Sequence, residues 1–485
     1  MTHHDHQQDH SHAHRPPHSG NRTPRLTEVP AFTEMISQGW GTYVVEARVP
    51  DGAAEAAAAH RARLAERLGG RTVVVGAGRA PVRSNDTSYD FRADSDFVWL
   101  TGCQLEDAVV VLHGSEAVLY APPPARPGDP AFFSDAMHGE LWVGASPGLG
   151  EWERALGIPV RPLSELDAAL AAGSGWWAGR AVPSDVVTRH GLERSAELAR
   201  ACSDLRMVKD AWEVAQLRAA VDHTVTGFEA VAREIPAAVR SGGERWLQGT
   251  FDRHARTTGN GPGYASIVGS GPHAPTLHWV RCDGPVLPDA ALLLDMGVET
   301  NTLYTADVTR TVPPSGRFTA EQRAVHDLVE KSHRAGMAHV KPGVNYLDFH
   351  YAAMEVIAQG LHDWGLLPVS VDEALSPQGQ HHRRWLVCGI GHHLGLDVHD
   401  CAASDWQDYM GADLEPGVVM TVEPGLYFHA HDLTVPPELR GVGVRLEDDL
   451  LVTAAGHEVL SDALPIDATG IEEWTARLLP AGAVV

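Results

Sequence analysis

Four carboxylates and one imidazole in this chain could together hold a pair of divalent cations: Asp295, Asp307, His392, Glu423 and Glu447. Each lies in a segment whose pattern favours burial: ALLLDMG, YTADVTRT, GIGHHLGLDVHD, VVMTVEPGLY and GVGVRLEDD. A mostly oxygen donor set suits hard or borderline ions such as Mn²⁺ or Mg²⁺ better than a thiolate-type zinc site. Four carboxylates also match the charge of two divalent ions. Without metal, acids buried together repel one another and take up protons. Taken singly, each residue has a plain explanation. An aspartate at a strand end is usually a turn or cap residue, and VEPG alone reads as a turn. The order and context of the five carry the chemistry.

The elements that must position them follow from local pattern. Asp295 ends the apolar run 291–294, which reads as a buried strand, and Asp307 lies in the β-prone run 304–312. A hairpin turning near Asn301 predicts the two aspartates roughly opposite each other, about 4.5–5.5 Å apart at Cβ. Metals in such sites stand about 3.5–4 Å apart. Along 442–447, Val442, Val444 and Leu446 point one way and Arg445 and Glu447 the other. Glu423 follows a short apolar run and precedes Pro424-Gly425, which ends or bends the strand. His392 sits among Gly389, Gly391 and Gly395, so an irregular strand or loop is expected. A helix is predicted from Asp210, with Glu213 completing a capping box and Val214, Leu217, Val221, Val225, Phe228 and Val231 forming its apolar stripe. A second starts at Thr319 with Gln322 three residues on. Strands are read at 71–75, 108–112 and 117–120. Strands and helices in the second half lack a regular βαβ rhythm, which points to α+β.

Composition excludes several function classes. The chain has 485 residues, 44% of them hydrophobic, which allows two or three domains with normal cores. A net charge of −25 argues against nucleic-acid binding through a phosphate-seeking surface. Cys103, Cys202, Cys282, Cys388 and Cys401 are odd in number and far apart, which reads as free thiols in a reducing cytoplasm. No apolar run approaches the ~18 residues that span a bilayer, and the N-terminus lacks a signal-peptide core. His3, His4, His6, His10, His12, His14 and His18 lie in a polar stretch expected to be a disordered tail, with weak capture of Zn²⁺ or Ni²⁺ as the sharper reading. Gly76-Ala77-Gly78 mimics a dinucleotide loop, but Pro81 stands where the third glycine belongs. Gly144-Ala145-Ser146-Pro147-Gly148 matches a serine-hydrolase pattern, but Pro147 has no N–H for an oxyanion hole. No H-E-x-x-H helix occurs.

Together these segments, with IVGSG at 267–271 and LHW at 277–279, resemble the creatinase/methionine-aminopeptidase superfamily, and more closely the aminopeptidase P family. The resemblance covers about 205–465, and SYDFRADSDFVWLTG at 88–102 resembles that family's N-terminal domain. It implies a pita-bread catalytic domain behind a smaller α/β domain. The expected divisions are a disordered tail at 1–28, an N-terminal domain at 29–205, the catalytic domain at 206–470 and a C-terminal tail at 471–485. It also implies two metal ions per chain, Mn²⁺ foremost and Co²⁺, Zn²⁺ or Fe²⁺ as alternatives. Asp307 and Glu447 would bridge them, Asp295 would complete one, and His392 and Glu423 the other. The family's active-site histidines fall on His278 and His399, and its arginine near the metals on Arg445. Arg445 and Tyr264 are expected to bind substrate.

The implied reaction is release of the first residue from peptides with proline in second position, by attack of a hydroxide bridging the metals. Glu423 would move the proton and His399 would stabilise the oxyanion. A prolidase acting on Xaa-Pro dipeptides is the nearest alternative. A metal-independent creatinase-like enzyme and a non-catalytic binding module are disfavoured by the intact ligand set, and a methionine aminopeptidase by the long N-terminal domain. A homodimer or homotetramer is implied. The chain departs from the family twice. The hairpin holds one residue more between its aspartates, and Cys388 stands where relatives carry another histidine, so that histidine's role does not carry over.

Overall fold

The computed structural model describes residues 25–479, and residues 1–24 of the expected histidine-rich tail lie outside the described residues. The chain divides into two compact units, one ending at Ala199 and one starting at Arg200. The division falls within the helix Ala196–Met207, a few residues before the expected boundary at 205.

The N-terminal unit is built on a six-stranded mixed sheet. Its order is Val160–Pro162, Glu116–Ala121, Val109–His113, Val73–Gly76, Trp177–Ala178 and Glu193–Arg194. The strands expected near 71–75, 108–112 and 117–120 are three adjacent interior members of this sheet. Val73–Gly76 pairs antiparallel with Val109–His113 on one side and parallel with Trp177–Ala178 on the other. Val74, Val109 and Val111 pack with Leu166, Leu170 and Trp176 in its core.

The second unit opens on the helix Ala211–Ala237, capped reciprocally by Asp210 and Glu213. Leu217, Val221, Phe228 and Val231 of the expected stripe are buried, while Val214 and Val225 are partly buried at its margins. The helix Ala320–Met337 begins with the expected box of Thr319 and Gln322. Two antiparallel sheets form the centre. One runs Ile267–Ser270, Leu292–Met296 and Val308–Val312, and the other Val419–Val422, Asp448–Thr453 and Gly456–Val459. A third ribbon pairs Gly425–Phe428 with Val442–Arg445. Every named strand pair in this unit is antiparallel, as the α+β expectation requires. No helix among the described residues is long and apolar enough to cross a membrane.

Two expectations are corrected. Asp295 faces Thr309 across the hairpin, not Asp307, which lies two residues further along the partner strand. The pair is therefore diagonal, a separation of about 7–8 Å that long side chains still bridge. The cause is local. The turn closes through Leu303 in left-handed conformation (φ 68°), and the regular ladder stops at Met296 and Val308. Beyond it the Ala306 carbonyl packs onto Gly297, where a Cβ would stand 1.8 Å from the oxygen. The expected C-terminal tail from 471 is also not a tail as far as the structure describes it. Residues there continue the helix Ala468–Leu478, and Ile471 and Trp474 join the core of the second unit. Truncating Trp474 to alanine should therefore destabilise the protein by about 3–5 kcal/mol in urea unfolding. A change within about 0.5 kcal/mol would mark a surface position instead.

Candidate metal centre

The two central sheets meet at Thr309. Its carbonyl accepts from the Glu447 N–H at 3.1 Å, and its hydroxyl donates to Glu447 Oε2 at 2.8 Å. Thr309 and Asp307 lie two apart on one strand face, so the contact that joins the sheets also aligns Asp307 with Glu447. Asp295 comes from the neighbouring strand. Glu423 leaves the end of Val419–Val422, and its N–H is fixed to the Ile390 carbonyl at 2.9 Å. His392 is strapped to the same strand by two bonds with Thr421, one to the Thr421 hydroxyl at 3.1 Å and one to its N–H at 2.9 Å. The Gly-rich loop expected around His392 is what is found.

These elements bring all five predicted ligands together. Asp307, His392 and Glu447 each place a donor atom within 4.8 Å of the others. His392 Nε2 stands 3.4 Å from Asp307 Oδ2 and 3.6 Å from Glu423 Oε1. Its Nδ1 lies 3.1 Å from the His393 carbonyl, which accepts a hydrogen bond from that nitrogen and turns Nε2 toward the carboxylates. Arg445 donates to Asp295 Oδ2, to Thr309 Oγ1 at 3.1 Å and to Tyr427 Oη at 3.1 Å. The Tyr264 hydroxyl sits 2.6 Å from both Asp295 Oδ1 and Asp307 Oδ1. Tyr264, expected on resemblance to bind substrate, thus holds the two aspartates together.

The electrostatics describe a site short of positive charge. Burial, Asp307 and Glu423 push Glu447 well above its ordinary range. Burial and Asp307 push Glu423 up to about 7 against the pull of His392. Burial opposes a charged His392, but Asp307 and Glu423 outweigh it and hold the imidazole at about 9. Among the described residues, Glu447 Oε1 is buried without a hydrogen-bond partner, and so is Asp449 Oδ1. An orphaned carboxylate oxygen within a cluster of buried acids is what a cation site presents. The donor set therefore fits divalent metal ions.

Further groups complete the surroundings. The His399 ring packs edge-on against His392 with centroids 4.3 Å apart. Burial, then His392, lowers its pKa, and His278 adds to that effect. His278 and His399 are both exposed. Cys388 is partly buried, and burial and Glu423 raise its thiol.

Sequence reasoning missed Asp449, which is fully buried and accepts from the Asp307 N–H at 3.1 Å. Its position two residues after Glu447, on the same strand face, was the available signal. It also missed the ion cluster behind His399. Asp400 is buried and bound by Arg206, and by Lys209 Nζ at 3.1 Å. Its N–H donates to the His393 carbonyl at 2.9 Å, which pins the loop between His392 and His399.

The comparisons with known proteins agree with this geometry. Residues 215–454 match the model of metallopeptidase family M24, and residues 57–174 match the aminopeptidase P N-terminal domain. Xaa-Pro aminopeptidase 2 of Streptomyces coelicolor is 48% identical over 92% of this chain and 96% of its own length. Among solved structures, an aminopeptidase from Pseudomonas aeruginosa is 28% identical with a TM-score of 0.77, covering 89% of this chain and 99% of its own. Aminopeptidase P from Escherichia coli with the inhibitor Pro-Leu is 27% identical with a TM-score of 0.77, covering 90% and 99%. The fold and site define an M24 metallopeptidase with the pita-bread architecture. Within that class, the chain belongs to the Xaa-Pro aminopeptidase, or aminopeptidase P, family.

Burial would raise the Asp400 carboxyl, but Arg206 and Lys209 outweigh it and hold it at about 2. A depressed carboxylate stabilises the fold fully above its unfolded pKa of about 3.9 and loses that contribution as pH falls through the folded value. Asp400→Asn leaves Lys209 buried opposite a neutral amide and should cost about 3–5 kcal/mol at pH 6. In urea titrations of both proteins, the gap should hold down to about pH 4 and narrow toward pH 2. A gap independent of pH would remove the ionic explanation.

Proposed function

We propose that this chain is a dimetal aminopeptidase that releases the N-terminal residue from peptides with proline in second position. The observation that carries this is the convergence of Asp295, Asp307, His392, Glu423 and Glu447 in a chain 48% identical to a protein named Xaa-Pro aminopeptidase. Asp295, Asp307, His392, Glu423 and Glu447 would together hold the two ions. When bound, the ions supply Lewis-acid polarisation of the scissile carbonyl and a more acidic water near neutral pH.

The chain's own residues do the rest. Arg445 and Tyr264 hold Asp295 in place and keep it from turning to solvent. Glu423 takes a proton from the attacking water on a carboxylate oxygen and passes it toward the prolyl nitrogen. An imidazole N–H of His399 donates to the developing oxyanion, and His278 orients the scissile region. A prolyl amide has no N–H of its own, so recognition here cannot use the main-chain donor on which ordinary proteases rely.

The finer parts of the proposal are these. Mn²⁺ is the expected ion, supported by the oxygen-rich donor set. Five free cysteines support a cytoplasmic location. Trp40, Leu141, Trp142 and Val143 are exposed on the N-terminal unit and support a homodimer or homotetramer. A net charge of −25 supports the absence of a nucleic-acid partner.

Elemental analysis of the gently purified protein should find about two divalent ions per chain. Asp307→Ala should lose at least one of them, and its kcat/KM should fall by more than the about 10–100-fold that even an outer partner is worth. Exhaustive chelation should abolish activity, and Mn²⁺ should restore it better than Co²⁺, Zn²⁺ or Fe²⁺. Persistent activity without metal would overturn the dimetal reading. Arg-Pro-Pro should be cut to Arg and Pro-Pro faster than Gly-Pro is cut; activity on the dipeptide alone would make the enzyme a prolidase.

A further inference from the structure

Glu244 lies in the first turn of the helix Gly243–Thr258 and is completely buried. Four donors converge on its two oxygens, among them His273, whose imidazole also forms an ion pair with Glu244 when protonated. Oε1 accepts from the Ser270 N–H and from His273 Nδ1, each at 2.8 Å. Oε2 accepts from Trp279 Nε1 and from the Gly284 N–H, each at 2.8 Å. A carboxylate has about four lone-pair sites, and all are used. The Glu244 N–H donates in turn to the Gly284 carbonyl at 2.9 Å.

These donors bracket one stretch of chain, 270–284, and His278 is in its middle. Trp279, the next residue, is gripped on three sides. His273 stacks on one side of its ring at 3.8 Å, Arg281 lies over it at 4.2 Å, and Glu244 holds its indole N–H. His278 itself is exposed. An exposed imidazole on a loop has no packing of its own to fix it, so its direction is inherited from its neighbours.

We propose that Glu244 is a positioning residue for His278: through Trp279 it fixes the backbone from which that imidazole faces the substrate. This rests on the reading above that His278 orients the scissile region. The hydrogen-bond partners of Glu244 are Ser270, His273, Trp279 and Gly284, and none of these is a candidate metal ligand. It acts by denying the 270–284 loop alternative conformations, which keeps a reacting geometry within the tolerance of well under 1 Å that catalysis requires.

Glu244→Gln replaces one acceptor oxygen with an NH₂ that faces two donors, so the clamp fails on one side. Trp279→Phe keeps the ring and removes only the indole donor, and it serves as the second variant should Glu244→Gln fail to fold. His278→Ala and its combinations with each complete the set. All are assayed with metal content and thermal midpoint measured alongside.

The expected result is a loss in kcat of about 10–100-fold for Glu244→Gln, and a smaller one in the same direction for Trp279→Phe. KM should change little and metal content should stay at the wild-type level. In the His278→Ala background neither change should cost anything further. A merely structural role would give losses that multiply with that of His278→Ala. Multiplying losses, or folded variants with wild-type kcat, would overturn the proposal while leaving the role of His278 intact. Wild-type kcat in His278→Ala would overturn the role of His278 and the proposal with it.

Discussion

A carboxylate taken out of water loses several kcal/mol of hydration unless a cation or a full set of donors replaces it. The second unit of this chain buries Asp295, Asp307, Glu447 and Asp449 close together, with Glu423 at the rim. Its own positive groups answer part of that charge. Arg445 takes Asp295, His392 stands between Asp307 and Glu423, and Arg310 takes the neighbouring Asp448. Glu447 and Asp449 each keep one oxygen that nothing among the described residues satisfies. The remaining deficit has the sign that divalent metal ions remove.

That arrangement has a front and a back. Thr309 joins the two sheets on the side facing the ligands. Arg310, its neighbour, points the other way. It donates to the Glu447 and Leu464 carbonyls, to the Pro465 carbonyl and to Asp448 Oδ1. One dipeptide thus fixes the carboxylate of Glu447 from one face and its backbone from the other. The loop 392–400 is treated likewise, with Thr421 holding it at one end and the Asp400 cluster at the other. Rigid support of this kind is what holds ligands to a productive geometry.

Features written in short stretches of sequence were legible. The capping boxes at Asp210 and Thr319 each need only a side chain and a backbone N–H three residues away, and both are present. The carboxylate segments were readable because each couples an apolar strand to an acid, and the His392 segment because its histidine sits among glycines. What depended on distant partners was not readable. The diagonal offset of Asp295 and Asp307 follows from Leu303 and Gly297, whose conformations no alternation of residues announces. Glu244 looks like an ordinary first-turn acid until Ser270, Trp279 and Gly284 are brought to it. Asp449 needs Asp307 for its meaning. The C-terminal helix was read as a tail because Ile471 and Trp474 make a stripe too short to stand out, although both enter the core.

The ligands come from well-separated stretches of chain, and Glu447 is the last of them to be translated. A polypeptide still on the ribosome short of that residue already carries Asp295, Asp307, His392 and Glu423. It lacks the strand that Thr309 must grip, and so has no closed cradle. A nascent or prematurely released product thus carries donors of the candidate site without the strand contact that brings them together.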